Sequence, residues 1–265
     1  MSKLIISELA IYPVKSMRQV SLKKSAMDMG GLKYDRRWMV VDADGVMITQ
    51  RKVVRLCLIQ PELTARGLML TTEAMPEIKV SIPDGRVSRK VKVWNDECNA
   101  CDGGDEVASW LSEFLKIECR LVYFPDGETR IVDQDYAQPN DQTAFSDGFP
   151  ILLTSQASLD DLNSRMDEDV PMARFRPNIV VSGCEAFAED NWKQLQVGDI
   201  SLRIVKPCSR CIVPNVDIDS AERRKEPVKT LASYRKRDNK IFFGQNVVAD
   251  GEGELEVGME VKISD

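Results

Sequence analysis

Histidine is absent from all 265 residues, and with it go the commonest general base and the commonest ligand for zinc, copper or non-haem iron. Any metal held by this chain must lean on cysteine, on carboxylates or on donors that a cofactor brings. Positive charge is in short supply: 36 Lys and Arg stand against 42 Asp and Glu, a formal net charge of -6. A field of that sign repels nucleic acid and anionic membrane surfaces, so neither is expected as a partner, and any bound anion must meet a local basic pocket. Long apolar runs are missing too. No stretch approaches the roughly 18 uncharged apolar residues of a membrane span, and the opening MSKLIISELAIYPVK lacks the charged, apolar and small-residue order of a secretory signal. These absences give the expectation of a cytoplasmic protein.

What is present describes a packed, strand-dominated chain. Hydrophobic residues make up 43% and charged residues 29%, ordinary proportions for a globular fold, and the length suits two modest lobes. Runs rich in Val, Ile and Leu recur at 4–14, 38–41, 91–94, 179–181 and 200–205, and they read as strands. Turns are expected at Asp44-Gly45, Asp84-Gly85, Gly198-Asp199 and Gly258, because glycine reaches positive φ without steric cost. Helical spacing is clear in GDEVASWLSEFLK, where Val107, Trp110, Leu111, Phe114 and Leu115 share one face and the helix should end near Lys116. Ser158 with Asp161 resembles a variant cap for a short helix bearing Leu159, Leu162 and Met166. Pro227 suits the first turn of a third helix that carries Leu231. The fold class is therefore a β-rich α+β. A polar segment at 124–143, punctuated by Pro and Gly, places a boundary between a first lobe at 1–123 and a second at 124–265.

Seven cysteines, at 57, 98, 101, 119, 184, 208 and 211, form an odd set without a secretory context, which favours reduced thiols over a disulfide framework. Two pairs share one spacing: Cys98-Asn99-Ala100-Cys101 and Cys208-Ser209-Arg210-Cys211. The second ends the apolar pattern ISLRIVKP, and Lys206 and Arg210 beside it should favour thiolate over thiol. Spacing alone leaves three readings open: a four-thiolate zinc site in a binding protein, a redox or cofactor thiol, and buried structural cysteines. No run has the closely spaced cysteines of a ferredoxin-type iron–sulfur domain, so electrons for any redox chemistry come from elsewhere.

Five short motifs then occur in order: Tyr12-Pro13-Val14-Lys15-Ser16, Asp35-Arg36-Arg37-Trp38, Phe175-Arg176-Pro177-Asn178, Lys206-Pro207-Cys208-Ser209-Arg210-Cys211 and Phe243-Gly244-Gln245-Asn246. Taken singly, Lys15 or Arg36 reads as a solvated surface charge, and Asn178 or Asp147 as a turn residue. Together they resemble the MOSC family, in particular its YcbX-type bacterial and mitochondrial amidoxime-reducing members, across essentially the whole chain. The resemblance implies an amino-terminal β-barrel lobe, a MOSC lobe, and a molybdenum–molybdopterin cofactor between them. It implies Cys211 as the molybdenum ligand and the catalytic thiolate, with Lys15, Ser16 and Arg36 gripping the cofactor phosphate. Arg176 and Asn178, the turn Asp147-Gly148-Phe149, and Ser209 and Arg210 would contact the pterin or hold it beside the metal. Cys208 reads as structural or as a support just behind the ligand shell, and Cys98 and Cys101 as ordinary thiols.

The activity so implied is reduction of N-hydroxylated small molecules, namely amidoximes, hydroxylamines and N-hydroxylated base analogues. Some bacterial members continue into a plant-type ferredoxin domain, whereas this sequence stops at Val261-Lys262-Ile263-Ser264-Asp265. A separate iron–sulfur or flavin reductase is therefore expected as electron donor. The alternative is a non-enzymatic carrier of molybdenum cofactor or sulfur, which would use the same ligands.

Overall fold

A computed structural model describes residues 3–264. Met1, Ser2 and Asp265, on which the readings of the two chain ends partly rest, lie outside the described residues. The largest element is a nine-stranded sheet. Along it run Val20–Leu22, Ile5–Ile11, Ile179–Ser182, Ile151–Ser155, Lys240–Asp250, Ile200–Ser209, Gln194–Val197 and Val261–Ser264, with Lys236–Arg237 attached to the side. Only Ile151–Ser155 against Ile179–Ser182 is parallel among the pairings of these strands. Two strands from the amino-terminal region, Ile5–Ile11 and Val20–Leu22, thus complete a sheet otherwise built from the carboxy-terminal half.

The first half forms its own layers. Trp38–Val41, Arg120–Tyr123, Asp96–Asp102 and Ser88–Val93 make a four-stranded sheet, and Gln60–Thr64, Gly67–Thr72 and Met75–Ser81 a three-stranded one. Strand Trp38–Val41 is buried on both faces because side chains alternate: Trp38 and Val40 enter one core, Met39 and Val41 another. The same alternation separates the first cysteine pair. Cys98 packs with Met39 and Val41, and Cys101 packs with Trp38 and Leu121. Burial pushes the Cys98 thiol up to about 11, as a neutral core group requires.

Helix α1, Asp105–Leu115, buries Val107, Trp110, Leu111, Phe114 and Leu115, the stripe expected from the periodicity. It opens on Asp105 and Glu106, favourable against the amino-terminal end of the helix dipole, and closes on Lys116 in the left-handed region. Helix α2, Gln156–Asn163, corrects one expectation. Its cap is Ser155, whose hydroxyl accepts from the Ser158 amide at 3.1 Å. Ser158 instead lies inside the helix, and its hydroxyl donates to buried Glu189 at 2.7 Å. Helix α3, Val228–Tyr234, carries fully buried Leu231, with Pro227 at the cap rather than in the first turn.

Two apolar runs differ from their expected extents for reasons that build the site. The first strand stops at Ile11 because Pro13 cannot donate to a ladder, and the following residues turn, carrying Lys15 and Ser16 off the sheet. The strand expected at 200–205 runs on to Ser209. It shifts register against Lys240–Asp250 between Ile204 and Lys206 and again between Pro207 and Ser209. Such irregularities re-aim the strand end, here the Cys208–Cys211 turn.

Gly244 sits in that partner strand at φ +79, where an added Cβ would lie 2.7 Å from Thr154 Cγ2 and 2.8 Å from the Leu153 carbonyl oxygen. Gly244→Ala is expected to destabilise the protein by at least about 1 kcal/mol, read as a lower urea midpoint at unchanged slope.

Candidate functional site

The turns at 15–16, 36, 49–51, 146–149, 175–178 and 208–213 converge on one cleft of about 800 Å³, counting its open mouth. Every residue that the sequence singled out lines it: Lys15, Ser16, Arg36, Asp147, Gly148, Phe149, Arg176, Asn178, Ser209, Arg210 and Cys211. Gln50, Arg51, Ser146 and Asn246 join them. Five cations, Lys15, Arg36, Arg51, Arg176 and Arg210, face a single carboxylate, Asp147, in a protein whose overall charge is negative. This is the local basic pocket that the net charge required of any anion site.

Asp147 organises one wall. Its carboxylate accepts from Lys15 Nζ at 2.5 Å, from Arg51 at 2.9 Å and from the Trp94 indole N–H at 3.2 Å. Burial alone would raise the Asp147 carboxyl, but Lys15 and Arg51 hold it well below the usual carboxylate range. Its side chain nonetheless keeps 51% of its surface accessible, because it faces the cleft. Lys15 is the deeper partner, with 6% of its side chain accessible, and also donates to the Phe145 carbonyl at 2.7 Å. Desolvation pulls its ammonium down to about 8 even though Asp147 opposes the change. Arg130, from a neighbouring strand, fastens the turn by donating to the carbonyls of Ala144, Ser146 and Asp147.

The opposite wall is built around Tyr12. The guanidinium groups of Arg36 and Arg176 lie over its ring, 4.4 and 4.1 Å from the centroid, a cation–π arrangement favoured in a desolvated setting. Arg36 also pairs with buried Asp35 at 2.6 Å, donates to Asn178 Oδ1 at 2.9 Å and reaches the Arg176 carbonyl at 3.2 Å. Asn178 is 1% exposed, accepts in addition from the Leu152 amide and donates to the Ala10 carbonyl. Its side chain therefore joins the central sheet to Arg36. Desolvation brings the Arg176 guanidinium down to about 10. Ser16, Arg36 and Arg176 all have positive φ, at 71°, 46° and 60°, a conformation that costs a non-glycine residue about 1 kcal/mol or more. Such strain gathers at functional sites, where the surroundings hold the residue in place.

The Cys208–Cys211 turn bears out the charge argument from neighbouring residues for Arg210 and corrects it for Lys206. Lys206 lies 3.8 Å from the centroid of the Tyr136 ring, and Arg210 donates to the Cys208 sulfur at 3.2 Å and to the Phe175 carbonyl at 2.7 Å. The cation beside Cys211 is Arg51: burial works against its charge, yet Asp147 and the nearby Cys211 sulfur raise it. Cys211 is partly accessible, and its sulfur accepts from the Val213 amide at 3.5 Å. Nothing in the segment Thr49-Gln50-Arg51-Lys52 marks Arg51 in the sequence, because its partners Trp94, Asp147 and Cys211 are all remote along the chain. A joint zinc site fails on geometry, since Cys98 and Cys101 point into two separate cores on opposite faces of their strand.

Two of the guanidinium groups are incompletely used. Arg176 Nη2 and Arg210 Nε are buried and have no hydrogen-bond partner, although such groups are costly to leave unpaired. A Cβ built on Gly148 would meet nothing within 4 Å, so the cleft floor there is open to a ligand. The arrangement can bind a planar, anion-bearing group rich in acceptors and present a thiol to it.

The MOSC N-terminal beta barrel domain matches residues 3–118 and the MOSC domain matches residues 140–262, which defines the class as a two-part MOSC protein. The chain is 40% identical to mitochondrial amidoxime-reducing component 1 of Homo sapiens, over 96% of this chain and 81% of that protein. Against the Mus musculus protein of the same name identity is 38%, over 96% and 80%. Against mitochondrial amidoxime reducing component 2 of Rattus norvegicus it is 39%, over 96% and 81%. The chain belongs to the family of these amidoxime-reducing components. All three relatives are named as mitochondrial, which overturns the expectation of a cytoplasmic protein. Lack of a secretory pattern speaks to export alone and carries no information on organelles. No helix among the described residues is long and apolar enough to cross a membrane.

In cofactor-free protein, NMR titration of the Lys15 ε-methylene is expected to show a midpoint near 8, against the ordinary lysine value of about 10.4. Asp147→Asn removes the charge that favours the ammonium, so the midpoint moves lower; an unchanged midpoint contradicts the pairing.

Proposed function

We propose that the protein is a molybdenum-cofactor-dependent reductase of N-hydroxylated small molecules. The observation that carries this reading is the accessible Cys211 thiol at the end of a cleft lined by five cations and one carboxylate. The residues fit the group on physical grounds: the unpartnered Arg176 Nη2 and Arg210 Nε are donors suited to pterin acceptors, and a thiolate is a good soft donor to molybdenum. The names of the relatives support the amidoxime-type substrate.

In this reading Cys211 supplies the protein's sulfur ligand. Lys15, Ser16 and Arg36 hold the phosphate, while Arg176, the turn Asp147-Gly148-Phe149, Ser209 and Arg210 orient the pterin. A molybdenum–pterin group held there would supply two-electron reducing chemistry toward an N–OH. Asn178, its side chain already bonded to Arg36, Leu152 and Ala10, acts by positioning Arg36. Asp147, held ionised by Lys15 and Arg51, keeps those two cations apart and in place rather than delivering a proton. Electrons come from a separate iron–sulfur or flavin reductase. We further propose 123/124 as the lobe boundary, with residues 5–11 threaded back into the second lobe.

Protein from a host able to make the cofactor should contain stoichiometric molybdenum, and after anaerobic reduction it should convert benzamidoxime to benzamidine. Cys211→Ala is expected to abolish metal retention and turnover, and Cys98→Ala to leave both intact. A fully metallated sample that forms no product would identify a cofactor carrier instead, and stoichiometric zinc without molybdenum would reject the reading altogether.

A further inference from the structure

Trp94 is the one tryptophan of four that is open to solvent, at 48% exposure against 3% for Trp38 and 8% for both Trp110 and Trp192. It occupies the turn between strands Ser88–Val93 and Asp96–Asp102, at φ 57, a backbone conformation unfavourable for a bulky side chain. Its ring is nonetheless held in one place. The indole N–H donates to Asp147 at 3.2 Å, and the Arg51 guanidinium lies 4.6 Å from the ring centroid. Both partners line the cleft, and Arg51 stands beside Cys211. Trp94 itself stands just outside the cleft lining, a half-exposed aromatic surface joined to it through Asp147 and Arg51.

We infer that Trp94 is the wall against which the body of the substrate lies, and that it selects N-hydroxylated groups carried on a flat aromatic ring. This rests on the reductase reading of the cleft. The physical basis is ring-on-ring contact, which favours a planar partner over an aliphatic one of similar polarity. Fixing the platform in advance lowers the ordering cost of binding. Trp94 is here a specificity-determining residue, separate from its positioning of Arg51 and Asp147.

The test compares benzamidoxime with acetamidoxime in the molybdenum-loaded protein, using the ratio of their kcat/KM values so that any loss common to both cancels. Trp94→Leu is expected to lower the preference for benzamidoxime about fivefold to tenfold, the scale of one aromatic contact. Trp94→Phe, which keeps a ring but loses the N–H donor, should retain the preference. An unchanged ratio in Trp94→Leu, with both substrates slowed alike, reduces Trp94 to a support for Arg51 and Asp147 and overturns the inference. Benzamidoxime should also quench tryptophan fluorescence in the native protein and not in Trp94→Phe, whereas equal quenching in both overturns the assignment. That titration needs no turnover. If the native protein reduces neither compound, the reductase reading fails while fluorescence still decides the role of Trp94.

Discussion

The cleft exists because one carboxylate sits among cations that would otherwise drive one another apart. Lys15, Arg51 and Trp94 arrive from separate parts of the first half of the chain and meet on Asp147, whose turn is fastened from behind by Arg130. Like charges a few ångströms apart in a desolvated setting repel strongly, so such a cluster persists only with a counter-charge and directed hydrogen bonds. The deep position of Lys15, the placement of Arg51 next to Cys211 and the orientation of the Trp94 ring all follow from that contact. Losing it would leave Lys15 buried without a carboxylate, which is costly enough to rearrange the wall.

The second wall works by a different principle. Arg36 and Arg176 share the face area of Tyr12, and Asp35 and Asn178 take up the hydrogen-bonding capacity that remains on Arg36. A guanidinium with five donors can be anchored through some and still offer others. Arg176 follows that pattern, donating to the Met17 carbonyl at 2.7 Å through Nη1 while Nη2 is unpartnered.

Local periodicity was enough to read α1, because its apolar stripe and the protein core demand the same spacing. It failed at α2, where Ser158 reads as the cap but its hydroxyl is taken by buried Glu189, 31 residues away, and Ser155 accepts from the Ser158 amide instead. The site was legible wherever a motif carried its own residues: all eleven named positions converge. It was illegible wherever a side chain works through distant partners. Arg51 and Trp94 are 96 and 53 residues from Asp147, and no local pattern announces either. Judging charge from sequence neighbours was right for Arg210, which donates to the Cys208 sulfur, and misplaced Lys206, which lies over Tyr136.

Strand Ile5–Ile11 pairs with Ile179–Ser182 across some 170 residues of intervening chain, Ile5 opposite Ser182 and Leu9 opposite Ile179. Contacts so remote in sequence are slow to form, because the entropy of closing the loop is lost before the pairing repays it. During synthesis the segment that leaves the ribosome early must therefore wait, edge unpaired, until its partner emerges. Tyr12, Lys15 and Ser16 follow directly on that segment, so this part of the cleft is assembled late, and a truncated or interrupted translation product would have no means of acquiring it.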